Sequence, residues 1–119
     1  DPVENISRFG SRIFHVHAKD AYVNRQLMEV YGICHPGVIE HRHVGLGQSN
    51  WAEIVHALLR AGYDSDLNIE GWHDPVFRNH APATPDDSHL NRLAGKQLEK
   101  AGLMIARRTL EQLIMDIGD

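Results

Sequence analysis

The sequence predicts an α/β fold built as part of a parallel βα-barrel, on three observations. Residues 12–18 and 67–70 are typical of buried strands, and a well-capped helix lies between them. Side chains alternate between the two faces of a strand, so each of these strands carries one polar and one apolar row. In a βα-barrel the helices cover the apolar outer face, and chemistry takes place where the strands end.

Two of the predicted helices have clear boundaries. Asp1 is suited to the N-cap of the first helix, and Gly10 suits a left-handed position after its last turn. Asn50 caps the second helix and Gly62 ends it. Apolar residues recur on this second helix with the i, i+3, i+4, i+7, i+8 spacing of an amphipathic helix. They are Trp51, Ile54, Val55, Leu58 and Leu59.

The remaining segments complete a single domain over residues 1–119. Residues 19–49 form a long connection with a short helix around 26–31, and residues 71–87 are irregular. A final helix covers roughly 89–117. Its last turns carry one apolar face, made of Leu103, Ala106, Leu110, Leu113, Ile114 and Ile117.

Two strands cannot close a barrel, and a two-stranded sheet is only marginally stable by itself. We therefore expect the sheet to be completed by the remainder of the barrel, or by further copies of the chain in a homo-oligomer.

Composition narrows the classes of function. The formal net charge is −4 and no run of Lys or Arg occurs, which argues against a nucleic-acid partner. The single cysteine, Cys34, fits a reducing compartment. No apolar run approaches the roughly 20 residues that cross a bilayer, and the N-terminus lacks a signal-peptide pattern. We expect a cytoplasmic protein without a membrane partner.

His17 and Glu70 are the strongest candidate site residues, because each stands at the end of a predicted strand. Adjacent parallel strands end at the same edge of a sheet, which would place the two side chains together. An imidazole and a carboxylate suit a divalent cation such as Mn, Co, Zn or Mg, and Glu70 could also abstract a proton next to a carbonyl. Spacing alone equally allows a structural pair, with His17 hydrogen-bonded in the core and Glu70 in a salt bridge.

Other polar residues near the strand ends are weaker candidates for the functional site. His15 lies one layer deeper in the row of His17 and is expected to pack or to support a ligand. Lys19 and Asp20 could contact a substrate oxygen or form an ion pair with each other. In the triplet 41–43, Arg42 could clamp a hydroxyl or phosphate oxygen, whereas the two flanking histidines are expected to be solvated.

Four motifs occur in an order and spacing that resemble a known family. They are His15-Val16-His17-Ala18-Lys19-Asp20, Gly45-Leu46-Gly47 running to Trp51, Gly62-Tyr63-Asp64, and Ile69-Glu70 followed by Asp74-Pro75-Val76. Together they resemble the C-terminal part of the sugar phosphate isomerase/epimerase proteins with a xylose isomerase-like barrel. The resemblance runs from about Asp1 to Leu113. The chain departs from the family pattern at Val44, where the family commonly has Pro, and at 71–73, where it often has His-Glu-Asp.

The resemblance implies a partial (β/α)8 TIM barrel, namely its last two βα units preceded by a helix. It implies that His17 and Glu70 are two of four metal ligands, the others being a Glu and an Asp from earlier strands. Family enzymes move a proton between neighbouring sugar carbons through a metal-bound enediolate with two ligating glutamates, of which Glu70 would be one. Arg42 falls in the loop where the family often places a substrate-contacting arginine.

The sequence therefore predicts a divalent-metal-dependent isomerase or epimerase acting on a small sugar or sugar phosphate. In this prediction His17 binds the metal, Glu70 binds the metal and transfers the proton, and Lys19 and Arg42 contact the substrate. One alternative is a zinc-dependent endonuclease acting at abasic DNA sites on the same barrel, which the acidic balance disfavours. Another is a non-catalytic remnant that is stable only as a homo-oligomer or when bound to a separate N-terminal chain.

Overall fold

The computed structural model describes residues 1–71, 74–77 and 89–118, the last of these with side chains over 96–115. The described residues form, in chain order, α1 (Pro2–Phe9), a 3-10 turn (Gly10–Arg12), β1 (Val16–Ala18), β2 (Asp20–Val23), α2 (Arg25–Tyr31), β3 (Ile39–Arg42), α3 (Trp51–Arg60), β4 (Leu67–Ile69) and α4 (His89–Gly118). None of these helices is both long and apolar enough to cross a membrane.

Strands β1 and β4 pair in parallel, and α3 lies between them in the chain. His17 is the register partner of Asn68, and the Glu70 amide donates to the Ala18 carbonyl oxygen at 3.0 Å. The predicted strand–helix–strand unit is therefore confirmed. The first strand is shorter than the predicted 12–18, because residues 10–12 form a 3-10 turn and pairing begins only at Val16.

The two faces of this sheet have opposite character. Ala18 is fully buried, and Val16, Leu67 and Ile69 are partly buried against the core. The core joins the strands to α1, α3 and α4; its buried residues are Ile6, Ala18, Val44, Trp51, Ile54, Val55, Leu58, Ala106 and Leu110. On the opposite face His17 is exposed. The helices thus cover the apolar row and leave the polar row bare.

Helix boundaries agree with the sequence at three of four predicted positions. Asp1 and Asn50 cap α1 and α3 with side-chain oxygens that accept backbone amides, and Gly62 follows α3 with a φ of +82°. Gly10 is not left-handed as predicted: its φ of −42° and ψ of −51° are right-handed helical. A Cβ at Gly10 would lie 2.7 Å from the Cβ of Ala61, so glycine lets the ends of α1 and α3 approach closely.

The apolar stripes of α3 and α4 are narrower than predicted. On α3, Leu59 is 48% exposed although the other four stripe residues are buried, because it lies at the solvent edge of the stripe. On α4, Ala106 and Leu110 are buried, whereas Leu103 and Ile114 are each almost half exposed. The side chain of the predicted stripe residue Ile117 lies outside the described residues.

The long connection between β1 and α3 contains more structure than predicted. The expected short helix is present as α2, capped by Asn24. Strands β2 and β3 flank this helix and pair with each other in antiparallel register, Asp20 opposite Arg42 and Val23 opposite Ile39. The sequence pattern does not predict this pair. It places Arg42 beside the end of β1, where the candidate site lies.

Candidate functional site

His17 and Glu70 meet at the carboxyl end of the parallel sheet, on its bare polar face. The Nδ1 atom of His17 lies 2.8 Å from Oε2 of Glu70, a hydrogen bond in which the imidazole N–H donates. The His17 side chain is 57% exposed and the Glu70 side chain 25% exposed. The structure therefore brings together an accessible imidazole and an accessible carboxylate, as the strand register predicts.

Lys19 adds a positive charge to this pair. Its Nζ atom lies 3.5 Å from Oε1 of Glu70. The hydrogen bond from His17 lowers the pKa of Glu70, partial burial opposes that shift, and the charge of Lys19 lowers the pKa further. Glu70 is thus ionised at neutral pH. The expected alternative of an ion pair between Lys19 and Asp20 is wrong, because Lys19 pairs with Glu70 instead.

His15 lies one layer below His17 in the same row. The two imidazole rings meet edge to face with centroids 4.8 Å apart. The Nδ2 atom of Asn68 approaches Nδ1 of His15 at 3.4 Å. His15 therefore packs against the ring of His17, as expected, and its support of a ligand stays a prediction.

Arg42 belongs to a second cluster, organised by Asp74. The Arg42 Nε atom lies 3.1 Å from Oδ2 of the fully buried Asp74, and its guanidinium also pairs with Glu40 at 3.4 Å. Burial alone would raise the pKa of Asp74, but hydrogen bonds from the His43 amide, from two further backbone amides and from Arg42 bring it below its ordinary value. The Asp74 amide donates to the Gly71 carbonyl at 3.0 Å, which ties this cluster to the residue after Glu70. The substrate-binding role of Arg42 stays a prediction.

Asp20 has a structural role that differs from the predicted substrate contact or ion pair. Its carboxylate is 2% exposed and accepts hydrogen bonds from four backbone amides and from one indole N–H. The donors are Ala21, Gly45, Gly47, Ser49 and Trp51. Asp20 thereby fixes the loop between β3 and α3 next to the candidate site. Side-chain alternation could have predicted this inward position of Asp20, because neighbours such as Lys19 and Asp20 point to opposite sides of an extended chain.

His43 is a second residue whose position contradicts the prediction. It was expected to be solvated, yet it is 2% exposed. Its backbone amide donates to Oδ2 of Asp74 at 2.8 Å, and its ring meets Phe77 edge to face at 5.8 Å. Burial lowers the pKa of His43, although the charge of Asp74 opposes the shift. Both partners lie more than thirty residues further along the chain, so local pattern gave no sign of this burial.

The described donor set contains two of the ligand types that divalent metal sites use. Over residues 1–71, 74–77 and 96–115, no group of three or more His, Cys, Asp or Glu side chains is arranged to hold a metal ion. His17 and Glu70 supply a nitrogen and an oxygen donor of the types that Mn, Zn and Co accept. A catalytic site of this kind normally has at least three protein ligands. Two residues directly after the site, Trp72 and His73, lie outside the described residues.

Comparison with known proteins agrees with this architecture. The profile of the xylose isomerase-like TIM barrel family matches residues 1–104, most of the 119-residue chain. Comparisons with curated proteins and with solved structures find no match. The profile match agrees with the parallel βα unit and its helix-covered outer face. The chain belongs to the xylose isomerase-like TIM barrel family.

Proposed function

We propose that this chain forms part of the active site of a divalent-metal-dependent isomerase or epimerase that acts on a sugar or sugar phosphate. One observation carries the proposal: His17 and Glu70 lie 2.8 Å apart at the carboxyl end of two adjacent parallel strands. That end is where βα-barrel enzymes have their chemistry. The family includes sugar isomerases and epimerases as well as endonucleases.

In this proposal His17 and Glu70 hold the cation, which is Mn, Co, Mg or Zn, together with ligands from other strands of the barrel. A bound divalent cation would polarise the substrate carbonyl and stabilise negative charge on oxygen during proton transfer. Glu70 accepts the proton from the carbon next to that carbonyl, and the second glutamate that the family resemblance implies would return a proton to the substrate. Its lowered pKa keeps it in the basic form at neutral pH.

Lys19 and Arg42 contact the substrate in the proposed reaction. The Lys19 ammonium group lies beside Glu70 and is 44% exposed, so it can reach a substrate hydroxyl or phosphate oxygen. Arg42 is 20% exposed and is held by Asp74, which gives its guanidinium a fixed direction. A net charge of −4 supports a small substrate over DNA, because nucleic-acid binding depends on neutralising phosphates.

The exposed polar face of the sheet supports the proposal that other strands complete the barrel. Within the part of the chain that the structure describes, β1 and β4 pair only with each other. We infer that further parallel strands, from the same polypeptide, a partner chain or a second copy, cover this face and supply the missing metal ligands. The order of β1 and β4 as the seventh and eighth strands follows from the family resemblance and is part of the proposal.

Exchange of solvent deuterium into a ketose, in the presence of Mn and of the complete barrel assembly, tests the proposed chemistry. Glu70→Gln should slow exchange by about 10²-fold to 10⁴-fold, the usual contribution of a general base. Glu111→Gln is the matched control, because this exposed carboxylate lies on α4 and pairs there with a surface arginine, Arg107. Unchanged exchange in Glu70→Gln would remove Glu70 as the base. Cleavage of abasic DNA without ketose exchange would support the endonuclease alternative instead.

A further inference from the structure

An open groove runs between α1 and α3, and its volume is about 760 Å³. Val3 and Ser7 line the groove from α1. Six residues line it from α3, namely Ala52, Glu53, His56, Ala57, Arg60 and Ala61. The residues of α3 that pack in the core are different ones: Trp51, Ile54, Val55 and Leu58. The groove residues therefore form the outer face of α3, which the described residues leave open to solvent.

The six groove residues of α3 have a symmetric order along the helix. About the midpoint of residues 52–61, the alanines at the two ends mirror each other, and Glu53 mirrors Arg60. At the centre His56 mirrors Ala57. When two copies of one helix pack antiparallel across a two-fold axis, mirrored positions stand opposite each other. An axis at this midpoint would therefore place an acidic side chain opposite a basic one at both ends of the contact.

The two mirrored charges are unpaired in a single copy. Over residues 1–71, 74–77 and 96–115, neither the Glu53 carboxylate nor the Arg60 guanidinium forms an ion pair. They stand seven residues apart, about 10 Å along the helix, whereas helix side chains meet at spacings of three and four. The nearby charges of α1, Glu4 and Arg8, already pair with each other at 3.5 Å. Glu53 and Arg60 are thus available to a partner across the groove.

The side chains of this face also suit close packing of a second helix. Residues spaced four apart form ridges that interlock between helices in the commonest class of helix packing. The outer face of α3 has two such rows, Ala52-His56-Arg60 and Glu53-Ala57-Ala61. The two-fold axis places the first row of one copy against the second row of the other. The imidazole of His56 then faces the small Ala57 side chain of the second copy, which leaves room for the ring.

We propose that this groove is the contact surface of a homodimer, in which α3 of a second copy packs antiparallel on α3. Charge complementarity favours this occupant, because each Glu53 lies opposite Arg60 of the other copy. A parallel arrangement would instead place like charges together. The groove lies on the outer side of α3, away from the polar sheet face that carries His17 and Glu70. The dimer is therefore independent of the proposed isomerase function and of the strands that complete the barrel.

Sedimentation equilibrium of the 119-residue chain over a series of concentrations measures the dissociation constant of the dimer. The wild type should dimerise. Glu53→Arg and Arg60→Glu each place like charges opposite each other at both ends of the contact, so each should raise the Kd by about 10-fold or more. The double variant Glu53→Arg/Arg60→Glu restores opposite charges and should have a Kd close to that of the wild type. An equimolar mixture of the two single variants should form heterodimers for the same reason.

The double variant also separates the contact from the stability of α3. Glu53 lies in the first turn and Arg60 in the last, so both reversals oppose the helix dipole. Loss of folding alone would therefore make the double variant dimerise less than either single variant. Glu111→Arg, which reverses an exposed charge on α4, is the matched control and should leave the Kd unchanged. A wild-type chain that stays monomeric at every concentration, or a dimer that both single reversals leave intact, would overturn the proposal.

Discussion

Replacement of Asp20 by alanine should destabilise the fold more than most single substitutions. The buried carboxylate is the shared acceptor for four backbone amides and the indole N–H of Trp51, at distances from 2.8 to 3.3 Å. These donors lie in β2, in the loop that follows β3, and at the start of α3. A single side chain therefore connects three segments around the candidate site.

The expected loss of stability depends on whether water can replace the carboxylate at each donor. The hydrogen bond from the Trp51 indole is fully buried, so losing it costs about 1–3 kcal/mol. The backbone amides are only partly buried, and water can replace much of what they lose, so each costs roughly 0.5 kcal/mol. Asp20→Ala should then lower the free energy of unfolding by about 3–5 kcal/mol. Asp20→Asn keeps one acceptor oxygen and should lose about 2 kcal/mol.

Urea unfolding followed by tryptophan fluorescence measures this loss, because Trp51 lies in the core. With a slope of about 2 kcal/mol per molar urea, the Asp20→Ala midpoint should fall by about 2 M. The exposed Asp64 provides the control, and Asp64→Ala should change the free energy of unfolding by less than about 0.5 kcal/mol. Equal midpoints for the two variants would refute the role of Asp20 as the anchor of this loop.

Further predictions concern the core and the response to acid. Leu58 is 3% exposed and Leu59 is 48% exposed, so Leu58→Ala should cost about 3 kcal/mol and Leu59→Ala less than about 1 kcal/mol by urea unfolding. Similar losses of unfolding free energy for both variants would show that α3 is rotated about its own axis relative to this structure. The pKa of Asp74 lies below its ordinary value, so its carboxylate stabilises the fold above about pH 4 and that contribution is lost as the pH falls further. Asp74→Asn should therefore weaken the decline of the urea midpoint between pH 5 and pH 2, and an unchanged decline would contradict the assignment.

The parallel unit and the paired site residues could be predicted because they follow from local pattern plus one topological rule. Alternation along 15–19 and 67–70 separates polar from apolar rows, and parallel strands joined by a helix end at the same edge. Those two facts are sufficient to bring His17 near Glu70. Sequence alone could not decide whether the pair binds a metal, because two donors serve a structural hydrogen bond equally well.

The misplaced residues depend on contacts that no local pattern encodes. Strands β2 and β3 have mixed polar composition, DAYV and IEHR, and their pairing bridges an intervening helix. His43 is buried by Asp74 and Phe77, which arrive from beyond β4. Gly10 is governed by the approach of Ala61 fifty-one residues later, so its backbone conformation could not be read from the turn preference of glycine. In each case a tertiary contact overrides the local preference.

The central claim is that His17 and Glu70 form one cation site, and Mn²⁺ titration followed by NMR tests it most directly. Bound Mn²⁺ broadens nearby proton signals with a steep dependence on distance, so even weak binding can be localised. We predict that substoichiometric Mn²⁺ broadens the ring signals of His17 and its neighbour His15 before those of the exposed His56, and that Glu70→Gln removes this selectivity. Parallel broadening of His17 and His56, or an unchanged pattern in Glu70→Gln, would contradict the claim.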